Sequence, residues 1–428
     1  MPWPSASQPM NWPESGLIAT HSGLRGRPGV GLTPEVIERT LRGFLELCRL
    51  RGLPPNLAVA RDERLEGEGL SRQMIEIARK EGFDVVDLGV VSTPAAKLAA
   101  RSRGLGGAVV VTGSHLEPEL NGLKLIAGPT YLPMDPRRLP DPAQRGAARE
   151  RGALWREQGV AAAHVAAVCA SLDAELIRRA GLRVECDGGP GYGPSLLLEA
   201  LGCLTQGSPP DLVLRLDADG DRLALVDEAG TALDTDVTLA LCAEALEAKA
   251  VVRGADTSRV VDELTAARGG KVHVVPPGEL HLLEALIEEG GDLAGEGNGG
   301  VVVPAVGPAR DGLAAAGVIL SLLARSGTPL SALVAELPHY VMRRSTVAYS
   351  HPDAPASALE ALARRLGVDH ADSLDSGIHV EWEFAWGLVR PSATEPVLRV
   401  TAEGPTDRDA DALHAMLREC LLEAMPGP

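Results

Sequence analysis

Four short segments carry polar residues that strand and helix patterns leave unexplained. The first, Val109-Val110-Val111-Thr112-Gly113-Ser114-His115, is a β-branched run ending in a small-residue loop that exposes one hydroxyl beside an imidazole. A serine is a weak nucleophile and needs an activator and an anion site before it does chemistry. The second, Leu216-Asp217-Ala218-Asp219-Gly220-Asp221-Arg222, sets three carboxylates at alternate positions. Repulsion and desolvation forbid that pattern on a buried strand face unless a partner neutralises it. A divalent cation does so, and hard oxygen donors suit Mg²⁺, which takes few carboxylates and keeps phosphate or water in its shell. The same residues mimic the opening of an EF-hand, with Glu228 where its last ligand would fall, but Arg222 stands where that loop needs glycine and Leu223–Val226 reads as a strand. The third, Gly295-Glu296-Gly297-Asn298-Gly299-Gly300, lets backbone approach a ligand closely. There Glu296 and Asn298 offer an acceptor and an amide suited to sugar hydroxyls. The fourth, Arg390-Pro391-Ser392-Ala393-Thr394-Glu395-Pro396-Val397-Leu398-Arg399, flanks a Ser/Thr loop with two arginines, good chemistry for gripping a phosphate dianion. Taken singly, each also reads as an ordinary turn or surface loop.

These segments need a frame. The chain has 428 residues, 45% hydrophobic and 23% charged, which suits globular domains with real cores. Acidic residues outnumber basic ones, 58 to 41, for a net charge of −17. Such a surface repels polyanions, and with five Trp, four Tyr and three Phe there is little for base stacking, so no nucleic-acid partner is expected. A small phosphorylated ligand in a local basic pocket is compatible. The six cysteines are scattered in apolar contexts and read as core thiols of a cytoplasmic protein. Met1 to Glu14 lacks the pattern of a signal peptide and reads as a disordered tail. The apolar stretch Val301 to Ala324 is interrupted by Arg310 and Asp311, so no membrane span is expected.

Strand-like and helical patterns alternate along most of the chain. Asn56–Ala60, Phe83–Leu88 and Gly107–Val111 read as strands around helices Leu70–Glu81 and Ala95–Ser102, the βαβ signature. Pro129 to Arg151 reads as a linker or irregular crossing. A second unit follows: helix Val168–Ala180, strands Leu182–Cys186, Asp211–Leu216 and Leu223–Val226, and helix Asp236–Ala248. The third has strands Ala250–Val252, Lys271–Val275 and Asp292–Ala294 with helices Thr257–Arg268, Leu280–Glu289 and Gly312–Leu323. The last part, with strands Arg343–Tyr349, Ile378–Glu383 and Leu388–Arg390 and helices Pro355–Arg365 and Asp407–Met425, reads as α+β. The expected fold class is α/β: three related α/β domains with mixed, mainly parallel sheets, plus a C-terminal α+β domain. In such sheets ligands bind beyond the carboxyl ends of the strands, where the four segments fall.

In this order and spacing the segments resemble the α-D-phosphohexomutase superfamily, which covers phosphoglucomutase, phosphomannomutase and phosphoglucosamine mutase. The resemblance spans nearly the whole chain. It includes Gly23-Leu24-Arg25-Gly26, Ala60-Arg61-Asp62-Glu63-Arg64, Ser92-Thr93-Pro94, Asn121-Gly122-Leu123-Lys124 and Arg310-Asp311-Gly312. It implies four domains around a central cleft. Their expected bounds are 16–145 with the phosphoserine loop, 160–248 with the metal loop, 249–340 with the sugar loop and 341–428 with the phosphate loop, after a tail at 1–15. It implies an isomerase that interconverts hexose 6-phosphate and hexose 1-phosphate through a phosphoserine enzyme, with hexose 1,6-bisphosphate as intermediate and activator.

By the same resemblance Ser114 would carry the phosphoryl group, and Asp217, Asp219 and Asp221 would hold Mg²⁺ together with its phosphate. Arg25, His115 and Lys124 would line the reacting centre, with Lys124 as general acid/base, and Arg222 would face the phosphoserine. Glu296 and Asn298 would read sugar hydroxyls, and Arg390, Ser392, Thr394 and Arg399 would hold the non-reacting phosphate. The implied partners are small hexose phosphates, with no membrane, in a monomer or homodimer. The sequence departs from the family pattern at Leu116 and Glu117, where Asn-Pro is usual, at Ala393, at the short stretch from Leu201 to Asp211, and at Glu279, where a basic contact is common and His281 is the nearest candidate. The Gly-Glu-Gly-Asn-Gly-Gly loop most resembles archaeal-type phosphoglucosamine mutases. Phosphomannomutase or phosphoglucomutase is an alternative, as is a degenerate, non-catalytic homologue that binds sugar phosphates.

Overall fold

The computed structural model describes residues 16–142, 150–191, 193–207, 209–349, 354–368, 377–392 and 397–424. The tail expected at 1–15 lies outside them.

The first sheet contains β1 (Leu17–Thr20), β2 (Gly23–Gly26), β3 (Asn56–Arg61), β4 (Asp84–Val90), β5 (Gly107–Val111), β6 (Asn121–Ala127), β7 (Leu132–Pro133) and β8 (Leu154–Arg156). Its order is β1-β2-β6-β5-β3-β4-β8, with β7 on β6. Between the strands run α1 (Pro34–Leu50), α2 (Gly67–Lys80) and α3 (Thr93–Ser102). β5 is buried at every position, and its two-residue period divides the side chains between two cores. Val109 and Val111 join the cluster of Phe44 and Met74, while Ala108 and Val110 join that of Ala96 and Ala100. β8 pairs in parallel with β4, so the sheet continues past the crossing read at Pro129 to Arg151.

The second sheet, β11-β10-β9, has three strands: β9 (Val184–Gly188), β10 (Leu212–Leu216) and β11 (Leu223–Val226). Around it lie α4 (Val160–Ala170), α5 (Ala174–Ala180), α6 (Gly193–Ala200) and α7 (Asp236–Ala245). The helix expected over Val168–Ala180 is instead two, α4 and α5, meeting at 90°. Asp173 breaks it by accepting the Leu176 N–H at 3.0 Å and so capping α5.

The third sheet has order β13-β12-β14-β15. It comprises β12 (Ala250–Gly254), α8 (Val260–Ala267), β13 (Lys271–Val275), α9 (Glu279–Glu289), β14 (Leu293–Gly295), β15 (Val301–Val302), α10 (Gly312–Ser326) and α11 (Leu330–Ala335). α8 starts later than the sequence suggests, because Thr257 and Ser258 form a turn: Thr257 N–H donates to Gly254 O and Ser258 Oγ accepts from Val260. α10 is apolar on nearly all sides and correspondingly buried. It lies in one continuous core with β10, β11, β12 and β14, so the second and third sheets share a core on this side, while the other face of the third sheet packs its own cluster with Leu282 and Leu283 of α9.

The fourth sheet is antiparallel, β16-β19-β18-β17, and carries α12 (Ala354–Leu366) and α13 (Asp407–Ala424). Its strands are β16 (Val341–Ala348), β17 (Ile378–Glu381), β18 (Trp386–Pro391) and β19 (Val397–Gly404). β19 is absent from the sequence reading, although Leu398, Val400 and Ala402 alternate with polar residues and are fully buried. Its core is private: among the described residues none from the other sheets belongs to it. Among the described residues no single helix is long and apolar enough to cross a membrane.

In each of the first three sheets a strand paired in parallel with its neighbour turns back into an antiparallel partner: β5 into β6, β10 into β11, β14 into β15. The tips of these hairpins carry three of the four segments. A buried pair braces them from behind. His164 on α4 lies 2.6 Å from Asp311, whose other oxygen caps α10 through Leu313 and Ala314, while Gly312 N–H donates to Gly220 O.

Burial lowers the pKa of His164, but the Asp311 carboxylate more than offsets it, for a net rise. A raised folded value means the pair contributes fully below the unfolded pKa of about 6.5 and is lost as pH climbs through the folded one. We expect His164→Ala to cost about 3 kcal/mol at low pH, the scale of a broken buried pair. Urea denaturation should show a larger loss at about pH 6 than at about pH 9; an equal loss at both would contradict the charged pair.

Candidate active site

Ser114 follows β5 with φ of 53°, a left-handed conformation that is uncommon outside glycine. It is 6% exposed, whereas His115 is the exposed residue of the two, so the loop does not present the hydroxyl to solvent as the sequence suggests. Ser114 Oγ lies 3.5 Å from His115 Nδ1 and 3.4 Å from Asp217 Oδ2. The loop is held from below. Ser114 N–H donates to Thr112 Oγ1 at 2.8 Å, and that hydroxyl donates to Asp62 at 2.6 Å. Arg64, itself fixed by Asp62, donates to the carbonyls of Ser114, Leu116, Glu117 and Leu120 at 2.6 to 2.8 Å. The unusual residues Leu116 and Glu117 are therefore gripped by backbone, and the Glu117 side chain is exposed.

The Asp217–Asp221 loop joins β10 to β11. It turns at Gly220 (φ 69°), where a Cβ would lie 3.0 Å from Ser92 Cβ, so only glycine fits. One oxygen of each aspartate is committed. Asp217 Oδ1 accepts the N–H groups of Asp221 and Arg222, Asp219 Oδ2 accepts from Thr93 and Lys124, each at 2.5 Å, and Asp221 Oδ2 accepts from Lys124 at 2.6 Å and Arg310 at 2.7 Å. The opposite oxygens of Asp219 and Asp221 are buried without a hydrogen-bond partner. Ligand oxygens of the three residues lie within 4.8 Å of one another. Two orphaned buried anionic oxygens beside a third carboxylate fit a hard divalent cation. Desolvation, then repulsion by Asp221 and Asp219, pushes Asp217 up to about 8. Desolvation also acts against Asp221, but Arg310, Lys124 and Arg222 hold it well below the ordinary range.

Lys124 on β6 and Arg25 on β2 approach from the first sheet, both buried. Burial lowers Arg25 to about 10 against the pull of Asp219 and Asp221. Arg25 lies over Gly122, where a Cβ would sit 2.5 Å from its Cδ. Arg222 Nε is 3.8 Å from Asp221.

The Glu296 loop joins β14 to β15. Contrary to the open acceptor expected, both oxygens of Glu296 are engaged, one by Gly278 N–H at 2.9 Å and the other by Arg310 at 2.7 Å. Asn298 Oδ1 accepts from Gly300 N–H. Next to this network Glu279 on α9 pairs at 2.9 Å with Lys97 on α3, both almost fully buried. Lys97 thus supplies a cation from the first sheet beside the acidic Glu279.

In the fourth segment Arg390, next to last in β18, donates to Asp256 at 3.1 Å, and Arg399 Nε donates to Ser392 Oγ at 3.2 Å. Thr394 and Ala393 lie outside the described residues. The segments are linked by contacts: Ser114 to Asp217, Asp221 to Arg310 to Glu296, and Glu296 with Asp256 against Gly254, whose Cβ would lie 3.5 Å from Glu296 Cγ and 3.1 Å from Asp256 Oδ1. The sequence reading gave no role to Arg64, Thr93 and Arg310, although they stand in segments it quotes. Lys97 it does not single out; the signal is a charge at a buried position of an alanine-rich helix.

A buried serine on one sheet hairpin beside three aspartates on a second is the arrangement that the resemblance to the phosphohexomutases implies for repeated α/β units. Family models described as phosphoglucomutase/phosphomannomutase, alpha/beta/alpha domain I, domain III and C-terminal domain match residues 17–133, 234–340 and 356–419. A Methanopyrus kandleri protein named probable phosphoglucosamine mutase is 32% identical, over 94% of this chain and 98% of its own length. A Thermococcus kodakarensis phosphoglucomutase/phosphomannomutase is 28% identical over 95% of this chain and 98% of its own. A crystal structure of a phosphoglucomutase/phosphomannomutase family protein from Burkholderia thailandensis shares the fold, with TM-score 0.78 and 24% identity over 97% of this chain and 98% of that one. The chain belongs to the phosphoglucomutase/phosphomannomutase family of the α-D-phosphohexomutase superfamily and is a phosphohexomutase, an isomerase.

Because Arg64 fixes four carbonyls of the serine loop, Arg64→Met should lower kcat about 100-fold, the scale of an ångström-level misplacement. Circular dichroism should show the fold retained. Unchanged turnover would mean that the loop holds its shape without this staple.

Proposed function

We propose that this chain is a phosphoglucosamine mutase that moves a phosphoryl group between O6 and O1 of the sugar by way of Ser114. The observation that carries the reading is the approach of Ser114 Oγ on the first sheet to Asp217 Oδ2 on the second, 3.4 Å apart. Phosphoryl transfer needs positioning and charge neutralisation more than covalent help. Asp217, Asp219 and Asp221 would hold Mg²⁺ with an oxygen of phospho-Ser114, and the ion would neutralise charge on the transferred group.

The chain's own residues do the rest. Arg390, Ser392, Thr394 and Arg399 hold the non-reacting phosphate of hexosamine 6-phosphate, while Glu296 and Asn298 face its hydroxyls. The O1 hydroxyl takes the phosphoryl group from Ser114, giving the 1,6-bisphosphate. Lys124, charged between Asp219 and Asp221, delivers a proton to the departing serine oxygen and is recharged by the proton that O1 gives up; in the second half it passes the Ser114 proton to O6 in the same way. The bisphosphate turns end for end, Ser114 takes back the phosphoryl group from O6, and hexosamine 1-phosphate leaves. Arg25, His115 and Arg222 face this exchange. The amino-sugar choice is supported by the Gly-Glu-Gly-Asn-Gly-Gly loop and by the M. kandleri relative's name. Glucose and mannose phosphates form the second reading, supported by the T. kodakarensis relative's name. Exposure of Glu117 argues against the non-catalytic reading, since it keeps the extra carboxylate off the serine.

Intact-mass measurement should find a phosphate adduct that alkaline phosphatase removes and Ser114→Ala lacks. In coupled assays Ser114→Ala should lose about 10³-fold or more of kcat, with glucosamine 1-phosphate the preferred substrate over glucose and mannose 1-phosphates. Full turnover by Ser114→Ala would refute the phosphoserine route.

A further inference from the structure

Arg390, the arginine read above as a phosphate ligand, already has an anionic partner that is not part of its own loop. Asp256 follows β12 on the third sheet, and its Oδ2 accepts from Arg390 Nη2 at 3.1 Å. Its Oδ1 is buried and has no hydrogen-bond partner. The charged groups facing this carboxylate are Arg390, Glu296 and Arg344, and Arg344 is itself committed to Asp234 and Asp236. Desolvation, with Glu296 adding to it, raises the pKa of Asp256 against the pull of Arg390. The acid is thus held in an unfavourable place by one cation on another sheet.

The surroundings make that contact separable. Where the fourth sheet meets the third and the start of α7, polar contacts join them. Arg344 pairs with Asp236, Arg259 N–H donates to Glu403 at 2.9 Å, and the Arg259 side chain lies 3.5 Å from Glu381. Among the described residues no apolar cluster crosses this seam. Polar interfaces of this kind permit relative movement of the bodies they join.

We propose that Asp256 is a positioning residue for the phosphate site: it holds the Arg390 guanidinium while no substrate phosphate is there and surrenders it when one arrives. The proposal rests on the reading of Arg390 as a phosphate ligand. A phosphate dianion has more charge and more acceptor oxygens than a carboxylate and takes the arginine from it. Asp256 then loses its countercharge beside Glu296 and a second anion, so the exchange carries a cost. That cost loosens phosphate binding. Looseness is useful here, because the bisphosphate must release one phosphate and present the other to the same grip in every turnover. Asp256 therefore trades affinity for reorientation.

The test is a double-mutant cycle on the full chain with Ser114→Ala to block turnover, titrating glucose 6-phosphate by calorimetry. Asp256→Asn is near-isosteric, and its thermal transition is recorded alongside. Freed of its competitor, Arg390 should bind more tightly, and Asp256→Asn should lower Kd about fivefold or more, as expected when a larger fraction of the protein is binding-competent. In the Arg390→Ala background the same substitution should change nothing. With Ser114 intact, Asp256→Asn should lower KM and kcat together. If Asp256→Asn leaves Kd unchanged or raises it while Arg390→Ala weakens binding, the exchange is wrong and the phosphate reading survives. If the tightening persists in Arg390→Ala, Asp256 acts through its general field and the exchange is again wrong. If Arg390→Ala alone leaves Kd unchanged, the phosphate reading itself fails.

Discussion

Three carboxylates in one buried loop are the constraint around which the site is arranged. At about 4 Å, like charges cost about 4 kcal/mol per pair at an effective dielectric of 20. Asp217, Asp219 and Asp221 cannot be tolerated by their own sheet. The relief comes from elsewhere: Lys124 from the first sheet, Thr93 from the start of α3, and Arg310 from the approach to α10. Neutralising that one loop draws the hairpin tips of three sheets to a single place. Two of the loop's oxygens, Asp219 Oδ1 and Asp221 Oδ1, are buried without a hydrogen-bond partner.

The serine side of the site is built differently. Its shape is set by backbone carbonyls converging on Arg64, and that guanidinium is oriented by the buried Asp62. A left-handed serine is costly by itself, and such strain persists only where its surroundings over-determine it. Four donated hydrogen bonds below the loop supply that determination. The hydroxyl is therefore held in place before any ligand arrives.

Much of this was legible in the sequence because chemistry and period are local properties. The alternating aspartates, the glycine-rich turn and the apolar runs of β5 and β10 can be read from neighbours alone. Partners cannot: Lys124 and Asp219 are 95 positions apart, and Lys97 and Glu279 are 182 apart. That is why Glu296 reads as an open acceptor until Arg310 and Gly278 are seen to occupy it. β19 was hidden for another reason. Arg399 reads from the sequence as the end of a ligand loop, which masks the alternation of Leu398, Val400 and Ala402. The break between α4 and α5 depended on one capping bond from Asp173, too small a signal in an apolar run.

The distribution of apolar cores has a last consequence. α10 buries its flanks against two sheets at once, whereas the final sheet keeps its oil to itself. A protease nicking the connection ahead of β16 would therefore liberate a body that stays intact. No cut between β11 and β12 could do the same, since it would strip α10 of half its cover. Mechanically the second and third sheets behave as one body, although each carries a hairpin of its own.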